Sequence, residues 1–417
     1  MRILFTSYAD KSHFLGMAPL AWALHIAGHE VRVASQPELT GTITHAGLTA
    51  VPVGTDHRLR RISAMVKEKG AGLPAFELAD VRPEKLTWEY LSWGYRSLVP
   101  WWWRVINNPM IADLTDFCRY WRPDLVIWEP ISFAGPIAAK ASGAAHARFM
   151  WGLDVFARMR AHYVRLRDEQ PEQRREDSLA EWIGSQGAQF GVEFTEDMTT
   201  GHFTLDYTPP SMRFDLDYHH VPLRYVPYNG TGTVPDWLRT PPKRPRVCLT
   251  LGTSATERLD GYSVPIQDIL TSLGDLDIEV VATIPDAQRD QLTHVPDNVR
   301  TVPFVPLSVL VPTCSAVIHH GGGGSFSTSS LHGVPQLVLA DMMDAPVKGQ
   351  LLHDRGAGIF IPSGQAAGPA VRDAVRRLLT DPSHTREAGR LRDEMLAMPS
   401  PADIIPELEK LAIAHRS

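Results

Sequence analysis

Apolar residues fall in short continuous runs separated by stretches of helical spacing. RILFTSY is an apolar run of strand length, PLAWALHIAGH carries its apolar residues at helical spacing and stops at Gly28, and EVRVAS is a second strand. This order is a βαβ opening. PDLVIWEP and then FAGPIAAKASGAAHARFMWG repeat strand and helix, with a less regular middle from about Arg58 to Asn108. The pattern restarts at PRVCLTLGTS and continues through IEVVATI, TVPFVP, SAVIHH, QLVLA and GIFI. Strands alternating with helical patterns predict a parallel sheet in each half, so the fold class is α/β.

A chain of 417 residues is long for a single core. The Pro-, Gly- and Thr-rich stretch RYVPYNGTGTVPDWLRTPPKRPR, Arg224 to Arg246, is read as the break between two Rossmann-like domains facing a cleft. The expected organisation is an N-terminal domain 1–223, a linker 224–246, a C-terminal domain 247–395 and a last helix, 396–417, crossing back to the N-terminal domain.

A formal charge of -6 gives no support to a nucleic-acid or anionic-membrane surface, so the ligand is expected to be small or neutral. Three cysteines without CxxC spacing disfavour a disulfide framework or a structural zinc site. Neither a secretory leader nor a membrane span is read in the chain, and the expected location is the cytoplasm.

HHGGGGS, at 319–325, follows an apolar strand and precedes a helix. Four glycines inside a regular element would be costly, whereas at a strand–turn–helix junction they let a ligand approach the main chain. The helix N-terminus supplies free N–H groups and a partial positive charge, which suits a diphosphate. No GxGxxG follows the first strand and no GKS or GKT follows the glycines, which disfavours a dinucleotide oxidoreductase and a Walker A site.

HHGGGGS with HGVPQLVL, the downstream DMMDAPVKGQ, the N-terminal SHFLGMAPLAWALHIAGHEVRVASQP and RYVPYNG together resemble family-1 glycosyltransferases of the GT-B fold. Among these the chain looks most like the actinomycete enzymes that attach deoxysugars to macrolide and aromatic polyketides. The resemblance implies an inverting transfer from a dTDP-deoxysugar to a hydroxyl of an apolar polyketide, with the nucleotide sugar as co-substrate, no cofactor and no metal. It implies His13 as the base, because the family carries a histidine after the first strand. Its carboxylate partner is expected to be Glu129, one methylene longer than the usual Asp, with Asp10 as the competitor.

On the donor side the resemblance implies that His319 and the N–H groups of Gly321, Gly322, Gly323, Gly324 and Ser325 hold the phosphates. Thr253 and Ser254 would add hydroxyls, and Phe304 and Val305 would face the base. His320 is expected to pack inward by strand alternation. Asp344 would meet sugar hydroxyls, with Asp341 or Gln350 as alternatives. A nucleotide-sugar epimerase or hydrolase, and a non-catalytic sugar-nucleotide binder, are the competing classes; His13 with a nearby carboxylate disfavours the silent binder.

Asp-Leu-Asp occurs at 215–217 and 275–277, yet neither ends a hydrophobic strand, so the metal-dependent reading is weak. LTWEYLSWGYRSLVPWWWRV reads as an amphipathic helix ending at Pro100. Trp101, Trp102 and Trp103 cannot all face one core and are expected to line an acceptor pocket or to contact a partner. For such a partner the resemblance implies a cytochrome-like activator protein. The sequence leaves open a homodimer.

Overall fold

The computed structural model describes residues 1–59, 61–62, 65, 76–80, 82–252 and 264–416. They form two compact units, one of Met1–Tyr207, Phe214–Leu223 and Pro399–Ser417, the other of Thr208–Arg213 and Arg224–Met398. Among the described residues no helix is long and apolar enough to cross a membrane.

The first unit is built on seven strands, β1 (Arg2–Thr6), β2 (Glu30–Ser35), β3 (Ala50–Pro52), β4 (Leu125–Trp128), β5 (Ala145–Phe149), β6 (Phe203–Asp206) and β7 (His220–Pro222). Their order is β3-β2-β1-β4-β5-β6-β7, and every pairing is parallel. Leu125, Val126, Ile127 and Trp128 are all fully buried, as expected where helices cover both faces of a parallel sheet and apolar runs need no alternation.

FAGPIAAKASGAAHARFMWG is not one helix. The helix Ala134–Ser142 stops at Gly143, which takes φ +74°, and the chain re-enters the sheet as β5. β5 carries a buried Arg148 whose guanidinium is held by Asp154, Thr204 and the Thr199 carbonyl.

The aromatic segment also departs from expectation. The helix Trp88–Leu98 does not end at Pro100 but runs through a π turn, Val99–Trp103, into the helix Arg104–Trp121. Proline has no N–H and clashes with the preceding turn, and a wide turn accommodates both. The Arg104 N–H accordingly bonds the Val99 carbonyl, five residues back.

The last helix, Ile405–His415, belongs to the first unit. His415 stacks on His202 with centroids 4.5 Å apart, and Arg416 lies 2.5 Å from Asp124.

The second unit has six parallel strands, β8 (Arg246–Thr250), β9 (Glu279–Thr283), β10 (Val299–Val302), β11 (Ala316–His319), β12 (Gln336–Ala340) and β13 (Gly358–Pro362), ordered β10-β9-β8-β11-β12-β13. Val247 and Leu249 enter one core with Ile318 and Leu337, while Cys248 enters another with Val281 and Val317. Both faces are therefore packed.

Candidate active site

In each sheet the strand order reverses once, between β1 and β4 in the first unit and between β8 and β11 in the second. Ligands of open parallel sheets bind outside the strand carboxyl ends at such a reversal. Both groups of candidate residues lie there.

In the first unit, β1 ends at Thr6, and Asp10 opens the short helix Lys11–Leu15. Asp10 Oδ1 accepts from the Ser12 N–H at 2.8 Å and from the Ser12 hydroxyl at 2.6 Å, so this carboxylate caps the helix. His13, three residues on, turns instead to β4. Because Thr6 pairs with Trp128, the next residue, Glu129, arrives beside the imidazole. His13 Nδ1 is 2.9 Å from Glu129 Oε2, with the carboxylate fully buried.

Glu129 is surrounded by donors. The Ser132 hydroxyl bonds Oε1, while the Trp151 indole N–H at 3.1 Å and the Ile131 N–H at 3.4 Å bond Oε2. A carboxylate so placed accepts from Nδ1–H, which leaves the lone pair on His13 Nε2. Among the described residues nothing bonds Nε2. Tyr8 meets the imidazole edge-on at 5.0 Å, and Trp151 lies across it at 4.5 Å. Sequence reasoning missed Ser132 and Trp151, the latter because β5 before it reads as helix.

In the second unit the helix Gly323–Leu331 follows β11, and its N-cap, Gly322, provides no side-chain cap. The N–H groups of Gly323, Gly324 and Ser325 thus have no partner within the helix. Gly321 has φ +81°, and a Cβ there would lie 2.5 Å from the Ala345 side chain.

The two histidines exchange the places expected of them. His319 is fully buried, with Nδ1 accepting the Gly321 N–H at 2.9 Å and Nε2 meeting Gln336 Oε1 at 2.7 Å, so no nitrogen is left for a phosphate. Burial pushes it down to about 3. His320 is the partly exposed one: its ring is flanked by Gly252 and Gly322, where added Cβ atoms would each fall 2.5 Å from it. Burial of the ring, with the Lys348 charge second, brings it to about 4.

Asp344 does not stand open to a sugar. Its carboxylate is 2.8 Å from Lys348 Nζ, both side chains are buried, and a buried charge requires such a counter-ion. Asp341 is exposed and accepts from the Ser363 hydroxyl, and Gln350 is exposed and donates to Asp354. Phe304 is 49% exposed and available for stacking, whereas the Val305 side chain lies in the core with Cys248 and Leu310. Thr253 and Ser254 lie outside the described residues.

Trp103 is core, packed on Tyr95 and Phe133, because helical continuation through the π turn directs it inward. Trp101 and Trp102 remain partly exposed.

The Asp-Leu-Asp carboxylates are exposed, and Asp275 and Asp277 face Arg372 and Arg244. His146, Asp197 and His202 do converge. However, His202 Nδ1 accepts the His146 N–H at 3.2 Å, so His202 Nε2 carries the proton, and Lys140 Nζ already lies 3.0 Å from Asp197. These residues fit a hydrogen-bonded hub, not a metal site.

Residues 22–252 match the N-terminal domain, and residues 267–411 the C-terminal domain, of the erythromycin biosynthesis protein CIII-like family. The chain is 51% identical to 10-deoxymethynolide desosaminyltransferase of Streptomyces venezuelae, covering 100% of this chain and 98% of the relative. It is 45% identical to aclacinomycin-T 2-deoxy-L-fucose transferase of Streptomyces galilaeus, covering 100% and 97%. The structure of glycosyltransferase VinC in complex with dTDP superposes with a TM-score of 0.90 at 40% identity, covering 99% of this chain and 100% of that one. The chain belongs to the erythromycin biosynthesis protein CIII-like family and is a glycosyltransferase of GT-B fold.

Proposed function

From that membership we propose that the protein moves a deoxysugar from a dTDP-sugar to a hydroxyl of a polyketide, with inversion at the anomeric carbon. The observation that carries the mechanism is the bond between His13 Nδ1 and Glu129 Oε2, which leaves His13 Nε2 as a proton acceptor. The acceptor O–H gives its proton to Nε2 as its oxygen bonds the anomeric carbon from the face opposite the diphosphate. The bond from that carbon to the diphosphate oxygen breaks, and the electron pair leaves on dTDP. Glu129 stabilises the imidazolium that results.

The leaving group needs positive potential. The N–H groups of Gly323, Gly324 and Ser325 offer it, and the neutral His320 ring beside Gly322 adds polar contact without charge. Phe304 would stack on the thymine. Transfer is expected to need no metal ion. The test is incubation of the purified chain with a panel of dTDP-deoxysugars and macrolide or aromatic polyketide acceptors, read by mass spectrometry. Product whose mass equals acceptor plus sugar less water is expected with wild type and not with His13→Ala. Free sugar without conjugate would make the protein a hydrolase instead.

A further inference from the structure

We propose that Trp151 is a positioning residue that sets the basicity of His13. This rests on the reading of His13 as the base. Trp151 follows β5, the neighbour of β4, and so reaches the same carboxylate that β4 delivers. Its indole N–H and the His13 Nδ1–H both address Glu129 Oε2, at 3.1 and 2.9 Å. Its ring also lies over the imidazole, centroids 4.5 Å apart at 47°. One side chain therefore competes for the oxygen that holds the base and packs on the base itself.

The two contacts act in opposite directions. Donation from the indole draws negative charge away from Oε2, which weakens the pull of Glu129 on an imidazolium. The aromatic face attracts the imidazolium once formed. Tyr8 adds a second ring at 5.0 Å, and His57 packs on Tyr8 at 5.4 Å. Asp10 faces its own helix end through Ser12, and Ser132 bonds the other Glu129 oxygen. Glu129 is thus the carboxylate bonded to the imidazole, and Trp151 is the indole that moderates it.

Trp151→Phe separates the effects, because it removes the N–H and keeps an aromatic face. The His13 imidazole, followed by NMR in the 15N-histidine-labelled full chain, is expected to titrate higher in Trp151→Phe than in wild type by on the order of half a pH unit or more. An unchanged or lower titration would overturn the proposal. A second measurement needs no substitution at Trp151: in wild type the Trp151 indole N–H resonance should follow the His13 titration. In His13→Ala that step should vanish, while an indole resonance that stays flat through the wild-type titration would equally overturn the proposal. Neither measurement uses donor or acceptor, so a failed transferase assignment leaves both readable. Loss of coupling with His13→Ala still inactive would sink this inference alone.

Discussion

Glu129 Oε2 meets His13 Nδ1 at 2.9 Å although the two residues are 116 positions apart. The adjacency of β1 and β4 makes this contact, since Glu129 directly follows Trp128, the partner of Thr6, while His13 sits on the short helix that follows β1. The nearer carboxylate, Asp10, accepts from Ser12 through Oδ1 and from the Tyr8 hydroxyl through Oδ2. The extra methylene of Glu over Asp is taken up as the carboxylate bends back toward Ile131 and Ser132.

Glu129→Gln should lower turnover by on the order of a thousandfold, because a Gln amide can donate to Nδ1 and leave the proton on Nε2. Stability should fall as well, since buried donors lose a charged acceptor, a loss of about 1–3 kcal/mol. Asp10→Asn keeps a competent helix cap and should leave turnover within a few fold of wild type. Steady-state rates with urea unfolding check both. An Asp10→Asn rate as low as that of Glu129→Gln would transfer the role to Asp10.

His13→Ala should reduce transfer by about a hundred- to ten-thousand-fold. Binding of dTDP should persist, because the expected diphosphate donors are backbone groups of the second unit. The check is a calorimetric titration with dTDP beside an initial-rate assay; turnover near wild type refutes His13 as base.

The strands legible in the sequence are mostly apolar runs such as LVIW and AVIH, with the alternating EVRVAS beside them, whereas β3, β6 and β7 are too short to leave a pattern. β5 escapes notice because AHARF places His146 and Arg148 in a strand, and only partners outside it, Asp197 for His146 and Asp154 with Thr204 for Arg148, make that tolerable. The assignment of His319 fails for a related reason. Alternation sorts side chains onto two faces, but both faces of this sheet are core, and it is the end of β11, with the turn at Gly321, that decides which histidine reaches the loop. Glu129 and the glycines are legible as strand-end residues. Trp151 and Gln336 enter only through strand neighbours distant in sequence.

Stability should depend on pH through buried neutral histidines. His319 is pushed down to about 3, and His320 and His146 to about 4, chiefly by burial. In the unfolded chain each titrates near its ordinary value of about 6.5. As pH falls below that value the unfolded state takes up protons that the native state refuses, so unfolding free energy drops by up to about 1.4 kcal/mol per pH unit per histidine. Above about pH 7 these groups add no slope. Urea unfolding between pH 6.5 and 5 should show this loss, and His319→Gln should show a shallower one. Equal slopes in the two proteins would refute the assignment to His319.

Two neighbouring glycines should separate folding from binding. Gly321→Ala puts a Cβ into a left-handed backbone and within 2.5 Å of Ala345, so it should cost on the order of 1–2 kcal/mol from the backbone alone, with the clash in addition. Gly322 has an ordinary φ of -58°, and its added Cβ would strike only the partly exposed His320 ring, 2.5 Å away. Gly322→Ala should therefore cost less stability than Gly321→Ala, because it adds a clash with the His320 ring but no backbone strain. Its affinity for dTDP should fall by on the order of tenfold, as the ring is driven from the helix N-terminus. Calorimetric dTDP titration and thermal unfolding of both variants check this, with wild-type transfer assayed in EDTA. Unchanged dTDP affinity in Gly322→Ala would remove His320 and this turn from the diphosphate site. Activity lost in EDTA and restored by a divalent cation would show that the backbone N–H groups do not meet the leaving-group charge unaided.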